Sequence, residues 1–264
     1  NTYNFDVSDY SCSYHSQNGP PTLNNGDTYQ FQVKFTNTGN TTWTKNIVHL
    51  ATDRGQDRVP VFIREGNGPS GWLGPNRITM QEESVAPGGT GTFTFWMTMP
   101  QDIQPGTYRE YFRLVADGVK WMEDYGVYWD IKVRTEEEKY QYELTFQNGY
   151  PVLDRGQTHN FVIKAKNTGA VTWHRGKINL ATNRDQDRIP VFIREGDGPS
   201  GWTSPNRIKM QEEFVNPGET ATFSFWMRVP NDLASGTYPE YFRLVADGVR
   251  WMQDIGIYWN VIVK

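Results

Sequence analysis

Only one cysteine, Cys12, occurs in the 264 residues, so an intrachain disulfide and a cysteine-rich zinc site are both excluded. No apolar run approaches the roughly 20 residues that span a bilayer, and no membrane-crossing helix is expected. Basic charge forms no pattern: 26 Lys and Arg against 30 Asp and Glu leave a formal net charge of −4 without a basic stripe. Nucleic acid is therefore not an expected partner, because nothing would displace counterions from phosphates. The chain opens at Asn1 with neither Met nor a signal peptide, which gives the expectation of a mature or trimmed form. Helical periodicity is missing as well. Apolar residues make up only 37% of the chain, yet 14% of it is aromatic. The core must then lean on Trp, Tyr and Phe, each of which removes roughly 150–250 Å² from water when buried.

What the chain does have is a duplication. PVFIREGNGPSGW, ending at Trp72, recurs as PVFIREGDGPSGW, ending at Trp202. YFRLVADGVKWM from Tyr111 recurs as YFRLVADGVRWM from Tyr241, and NTGNTTW ending at Trp43 recurs as NTGAVTW ending at Trp173. Each pair is separated by 130 positions. One constant offset without insertions means that whole modules were duplicated. The expected domains are residues 1–134, with an N-terminal extension, and residues 139–264. Thr135-Glu136-Glu137-Glu138 between them reads as a short solvated linker.

Within each copy the apolar period is two. FQVKF puts Phe31, Val33 and Phe35 on one face; TFTFWM does the same with Phe93, Phe95 and Met97. VYWDIKV buries Val127, Trp129, Ile131 and Val133. Turn chemistry separates the runs at Asn24-Asn25-Gly26, Asn37-Thr38-Gly39, Ala86-Pro87-Gly88 and Pro105-Gly106. Short strands so punctuated predict an all-β chain of two tandem immunoglobulin-like β-sandwich domains.

NTGNTTW, VAPGGTGTFTF, PGTYREYFRL and the closing VYWDIKV resemble the four-tryptophan immunoglobulin-like domain. That family is named from an autophagy cargo receptor, neighbour of breast cancer gene one, and also occurs in bacterial surface proteins. Two of its four tryptophans are kept, as Trp43 and Trp129 and as Trp173 and Trp259; Val33 and Phe112, and Ile163 and Phe242, stand at the other two. The receptor's peptide binding does not carry over. The longer middle segment is more similar to the bacterial branch, which implies a secreted or surface-displayed accessory module.

Catalysis is not expected. His15, His49, His159 and His174 face Thr145, Asn179, Tyr29 and Thr44 in the other copy, a scatter that suits surface histidines better than a general base. Cys12 has no nucleophile setting. Asp57, Glu65, Glu82, Glu83 and Glu110 recur as Asp187, Glu195, Glu212, Glu213 and Glu240, but twin hydrolytic sites in one chain would be unusual. Structural calcium is the one cofactor considered, with oxygens from Asp53, Asp57 and Asn67 and without EF-hand spacing.

From Gln56 to Trp72 the copies differ only at Val59/Ile189 and Asn67/Asp197. A loop rich in Gly, Pro and charge normally drifts faster than core strands. In one reading Arg58, Arg64 and Arg77 pair with Asp57 and Glu65 and knit the loop to the sandwich. In the other, Trp72 and Trp202 are exposed platforms for a sugar ring or a partner. Asp57, Arg58 and Glu65 then lie beside the first platform, and Asp187, Arg188 and Glu195 beside the second, to bond hydroxyls. Strand parity turns Trp96 and Trp226 outward, under a long loop or against another protein. The expected function is non-catalytic binding or adhesion at a bacterial cell surface, with a cell-wall or other surface polysaccharide or an envelope protein as partner. The alternative is a homo-oligomeric surface fibre, in which Tyr3–Val7 completes a neighbour's sheet.

Overall fold

The segments FQVKF, TFTFWM and VYWDIKV, which alternate with period two, form strands. The computed structural model describes residues 9–64, 71–194 and 201–264, excluding the side chains of Ile63 and Arg64. Tyr3–Val7, Glu65, Asn67 and Glu195 lie outside the described residues. The first copy contains β1 (Cys12–Gln17), β2 (Thr22–Leu23), β3 (Thr28–Asn37), β4 (Trp43–Thr44), β5 (Val48–Thr52), β6 (Ile63–Arg64), β7 (Arg77–Thr79), β8 (Ser84–Val85), β9 (Thr90–Thr98), β10 (Gly106–Ala116), β11 (Lys120–Trp121) and β12 (Val127–Val133). One sheet has the order β1-β3-β9-β6; the other runs β2-β12-β10-β5-β7, with β11 on β10. Among the described residues of this copy, only the β2–β12 pairing is parallel. All twelve strands recur 130 positions later, and the second copy adds Trp202–Ser204. Each copy is an immunoglobulin-like sandwich.

The two inner faces meet in an aromatic core. Trp129 on β12 stands edge-on to Phe31 of β3 at 5.3 Å, to Phe95 of β9 at 5.7 Å and to Phe112 of β10 at 5.5 Å. Its indole N–H donates to the Asn18 carbonyl at 2.9 Å, so the ring is buried without an orphan donor. Trp43, Val33 and Phe112, the other positions of the four-tryptophan pattern, are also buried. The NTG motif braces the interior: the Asn37 amide donates to the carbonyls of Thr41 and Val85, and its oxygen accepts from Gly39 N. Gly39 is required by close approach, since a Cβ there would lie 2.3 Å from the Asp9 carbonyl oxygen.

The compact units are Asn1–Arg134 and Thr135–Lys264. The expected solvated linker is exposed at Thr135, Glu136 and Glu137, and from Glu136 it forms a capped turn of helix, α1 (Glu136–Lys139). Thr135 Oγ1 accepts from Glu138 N at 3.1 Å, and the Glu138 carboxylate accepts from Thr135 N at 3.0 Å. Three acidic residues at the N-terminal end and Lys139 at the other complement the helix dipole. The Lys139 carbonyl then accepts from Ala170 N at 3.0 Å, which ties the turn to the second unit.

His159 takes the place of Tyr29, and both rings stand edge-on to a core phenylalanine, 5.0 Å from Phe161 and from Phe31. Burial holds the His159 imidazole below its ordinary value of 6.5. An unfolded chain takes up that proton at about pH 6.5 while the folded chain resists it. The stability is therefore present above that pH and lost as the pH falls below it. His159→Tyr is expected to remove this acid-side loss. The check is the second unit's melting temperature between about pH 7 and 5, which should fall less steeply in the variant.

Candidate functional site

The expected tryptophan platforms are not at the surface. Trp72 is 6% exposed and Trp202 9%. Each indole N–H donates to a backbone carbonyl of β9 or its counterpart, Trp96 O and Trp226 O, at 2.9 Å. Each ring stands edge-on to a core phenylalanine, Phe95 or Phe225, at 5.4 Å. Gly71 is the cause. It has φ +82°, and a Cβ there would lie 2.0 Å from the Thr94 carbonyl oxygen. The chain comes down onto β9 at that glycine and turns the next side chain inward.

Of the charged residues assigned beside those tryptophans, Asp57, Arg58, Asp187 and Arg188 are paired within the chain. Asp57 pairs with Arg77, which also reaches Asp117 at 3.0 Å and lies 5.5 Å over the Trp121 ring. Arg58 donates through Nε to Asp53 O at 2.8 Å and pairs with Glu110, which is 1% exposed. The second Glu110 oxygen accepts from Val61 N at 3.1 Å. Asp187 with Arg207, and Arg188 with Glu240, repeat the arrangement. The loop they hold is strained, with φ of +58° at Arg54 and +64° at Asp57. Such conformations persist only where the surroundings over-determine them. The loop-knitting reading is right for Asp57 and Arg77, but Arg58 goes to Glu110.

Other expectations need correction as well. Of the Asp53, Asp57 and Asn67 set considered for calcium, Asp57 pairs with Arg77 and Asn67 lies outside the described residues; among the described residues no group of three His, Cys, Asp or Glu side chains could hold a metal ion. His49 is not a surface residue; it is buried, with Nδ1 2.7 Å from Asp117. Glu82 accepts from Thr92 N, and Glu83 pairs with Lys45, both at 2.8 Å. The buried Cys12 thiol is pushed up to about 12 by burial and then by Glu123, which disfavours the thiolate. Outward parity is correct for Trp96 and Trp226; the latter is 39% exposed.

The outward face of β10 and β12 carries an arrangement that attention to tryptophan missed. With Val127, Trp129 and Ile131 inward, Tyr128 and Asp130 point out, and Tyr111 and Arg109 lie opposite them in register. Arg109 forks onto Asp130 at 2.6 and 2.7 Å and lies 4.1 Å over the Tyr128 ring. Arg54 lies 5.0 Å over Tyr111 and pairs with Asp124 at 2.8 Å. Both rings of the first copy are thus capped by neutralised guanidinium groups. The alternation in VYWDIKV already held this signal, because whatever sets Trp129 inward sets Tyr128 outward.

In the second copy Pro239 and Asn260 replace Arg109 and Asp130, and the tyrosines lose that cap. Tyr241 and Tyr258 lie 5.5 Å apart at 34°, and Tyr150 continues from Tyr258 at 5.6 Å and 35°. A hydrogen bond between the Tyr150 and Tyr258 side chains lifts the Tyr150 phenol above its ordinary value. Tyr150 is 49% exposed. Arg184 lies 4.6 Å over Tyr241.

No family model and no curated protein matches this sequence. Solved structures with a similar arrangement include titin domains Z1Z2 in complex with telethonin, at 9% identity and a TM-score of 0.40, covering 96% of this chain and 95% of that one. A sialic-acid-binding region of a Streptococcus sanguinis adhesin aligns at 9% identity and a TM-score of 0.33, over 98% of this chain and 78% of that one. A protein of unknown function from Porphyromonas gingivalis aligns at 12% identity and a TM-score of 0.28, over 97% and 99%. Likenesses this distant leave the functional reading to the chain's own residues.

Proposed function

We propose that the chain is a non-catalytic saccharide-binding and adhesion module, secreted or displayed on a bacterial envelope. Its binding face is the outward face of β10 and β12 and of their counterparts in the second copy. One observation carries the reading: both copies hold an outward tyrosine pair in the same register, Tyr111 with Tyr128 and Tyr241 with Tyr258, each with an arginine over a ring. Exposed aromatics on a sheet are a liability unless they meet something. Tyrosine supplies a broad, rigid contact at small entropic cost, apolar across the ring and polar at the hydroxyl. That combination suits a sugar, whose ring has apolar faces and a polar rim. The resemblance to the four-tryptophan domain of bacterial surface proteins supports the envelope location.

A glycan array followed by calorimetry tests the reading. Tyr258→Ala is expected to weaken saccharide binding by about tenfold, since a stacking residue of this kind contributes on the order of 1–2 kcal/mol. Tyr128, already capped by Arg109, should matter less. The fold should change little, because the Tyr258 ring lies half-buried on the outward face and outside the core. Full-strength binding by the Tyr128→Ala, Tyr258→Ala double variant would move the site elsewhere.

A further inference from the structure

We infer that the second copy takes an acidic polysaccharide. A sugar carboxylate sits on Arg184, and the following sugar rings lie over Tyr258 and Tyr150. This rests on the saccharide-binding reading and adds the chemical class and the residue that selects it. The argument begins at a single substitution between the copies. In the first copy the Asp124 carboxylate takes Arg54 at 2.8 Å. In the second the equivalent Asp254 oxygen takes the Asn183 amide at 2.9 Å, because Asn183 replaces Asp53. Arg184 is thereby left without an ion pair, and only its longer-range charge still acts on Asp254. It is exposed and stands 4.6 Å over Tyr241, and among the described residues no carboxylate pairs with it.

A guanidinium stacked on a ring is already ordered, so little further entropy is lost when it binds. Its planar fork matches a carboxylate in a bidentate hydrogen bond. Tyr241 serves as its pedestal, which leaves Tyr258 and Tyr150 for stacking. Their rings are 5.6 Å apart and tilted by 35°, and Tyr258 lies between Tyr150 and Tyr241. The three tyrosines form a row that starts at a cation and runs on as a neutral aromatic surface. An extended chain of sugar rings bearing carboxylates complements both parts, whereas a neutral polysaccharide leaves Arg184 unanswered. The first copy does not offer this: Arg54 and Arg109 are neutralised, and Arg109 covers the Tyr128 ring.

The test uses the full chain and calorimetry against polygalacturonate, hyaluronan and polysialic acid, each beside its carboxyl-reduced form. At least one acidic polymer is expected to bind, and its reduced form to bind about tenfold or more weakly, the loss of one charge-assisted hydrogen bond. Arg184→Gln should produce the same loss for the acidic polymer and none for the reduced one. Arg175→Gln, a side chain outside the tyrosine face that pairs with Glu213 at 3.0 Å, should change neither. Affinity for the acidic polymer should fall with added salt in wild type and much less in Arg184→Gln. Equal binding of acidic and reduced forms, or an Arg184→Gln variant that binds as wild type, overturns the assignment while leaving saccharide binding standing. If none of the six polymers binds, the acidic assignment is overturned; an array of neutral glycans that also stays blank removes the broader reading with it.

Discussion

Trp129→Ala is expected to destabilise the first unit by about 3–5 kcal/mol, a large share of what a domain of this size has. The ring touches three core phenylalanines from both sheets at 5.3 to 5.7 Å. Its removal opens a cavity that the rigid aromatic neighbours cannot close, and it leaves the Asn18 carbonyl without the donor now 2.9 Å away. Cavity and orphaned acceptor act in the same direction. Calorimetry of the full chain should show one transition moved down by well over about 10 °C and the second, from the duplicate unit, unmoved. Trp129→Phe should lie between. A shift below about 2 °C for the alanine variant would contradict the role given to this ring.

Arg58→Ala should be nearly as costly, about 3 kcal/mol or more, for a different reason. Glu110 lies almost wholly in the interior, and its two oxygens are answered by Arg58 and by Val61 N. Removing the cation leaves a buried carboxylate without its counter-charge, which is worse than having no charges there. The strained loop through Arg54 and Asp57 also loses the guanidinium that bonds Asp53 O at 2.8 Å. The Arg58→Met, Glu110→Leu double variant is expected to recover most of the loss, since replacing a whole buried pair by apolar groups is often neutral. A double-mutant cycle read by chemical denaturation measures this. If the double variant is as unstable as the sum of the single ones, the pair is not what holds the loop.

The largest features of the molecule were local and therefore legible in sequence. Period-two alternation set Phe31, Phe93 and Trp129 inward, turn residues cut the strands, and the offset of 130 exposed the duplication before any coordinates. The same alternation turned Trp96 and Trp226 outward, and with them Tyr128 and Tyr258. The tyrosine face was thus written in the sequence, but a ladder of outward residues only becomes a surface once register sets Tyr111 opposite Tyr128.

Partner choice was decided by tertiary structure alone. Trp72 looked like a surface platform because its loop is polar; one glycine at φ +82° turned it inward. His49 is paired with an aspartate 68 positions away, and Val61 is held by a glutamate 49 positions away. Arg184 makes no ion pair among the described residues and Arg54 does, although both follow the same strand, because a distant carboxylate accepts from an asparagine in one copy and from an arginine in the other. Alternation repeats along a few neighbouring residues and can be read from them. Which cation meets which carboxylate depends on closing loops of many tens of residues, and nothing in the local pattern records the outcome.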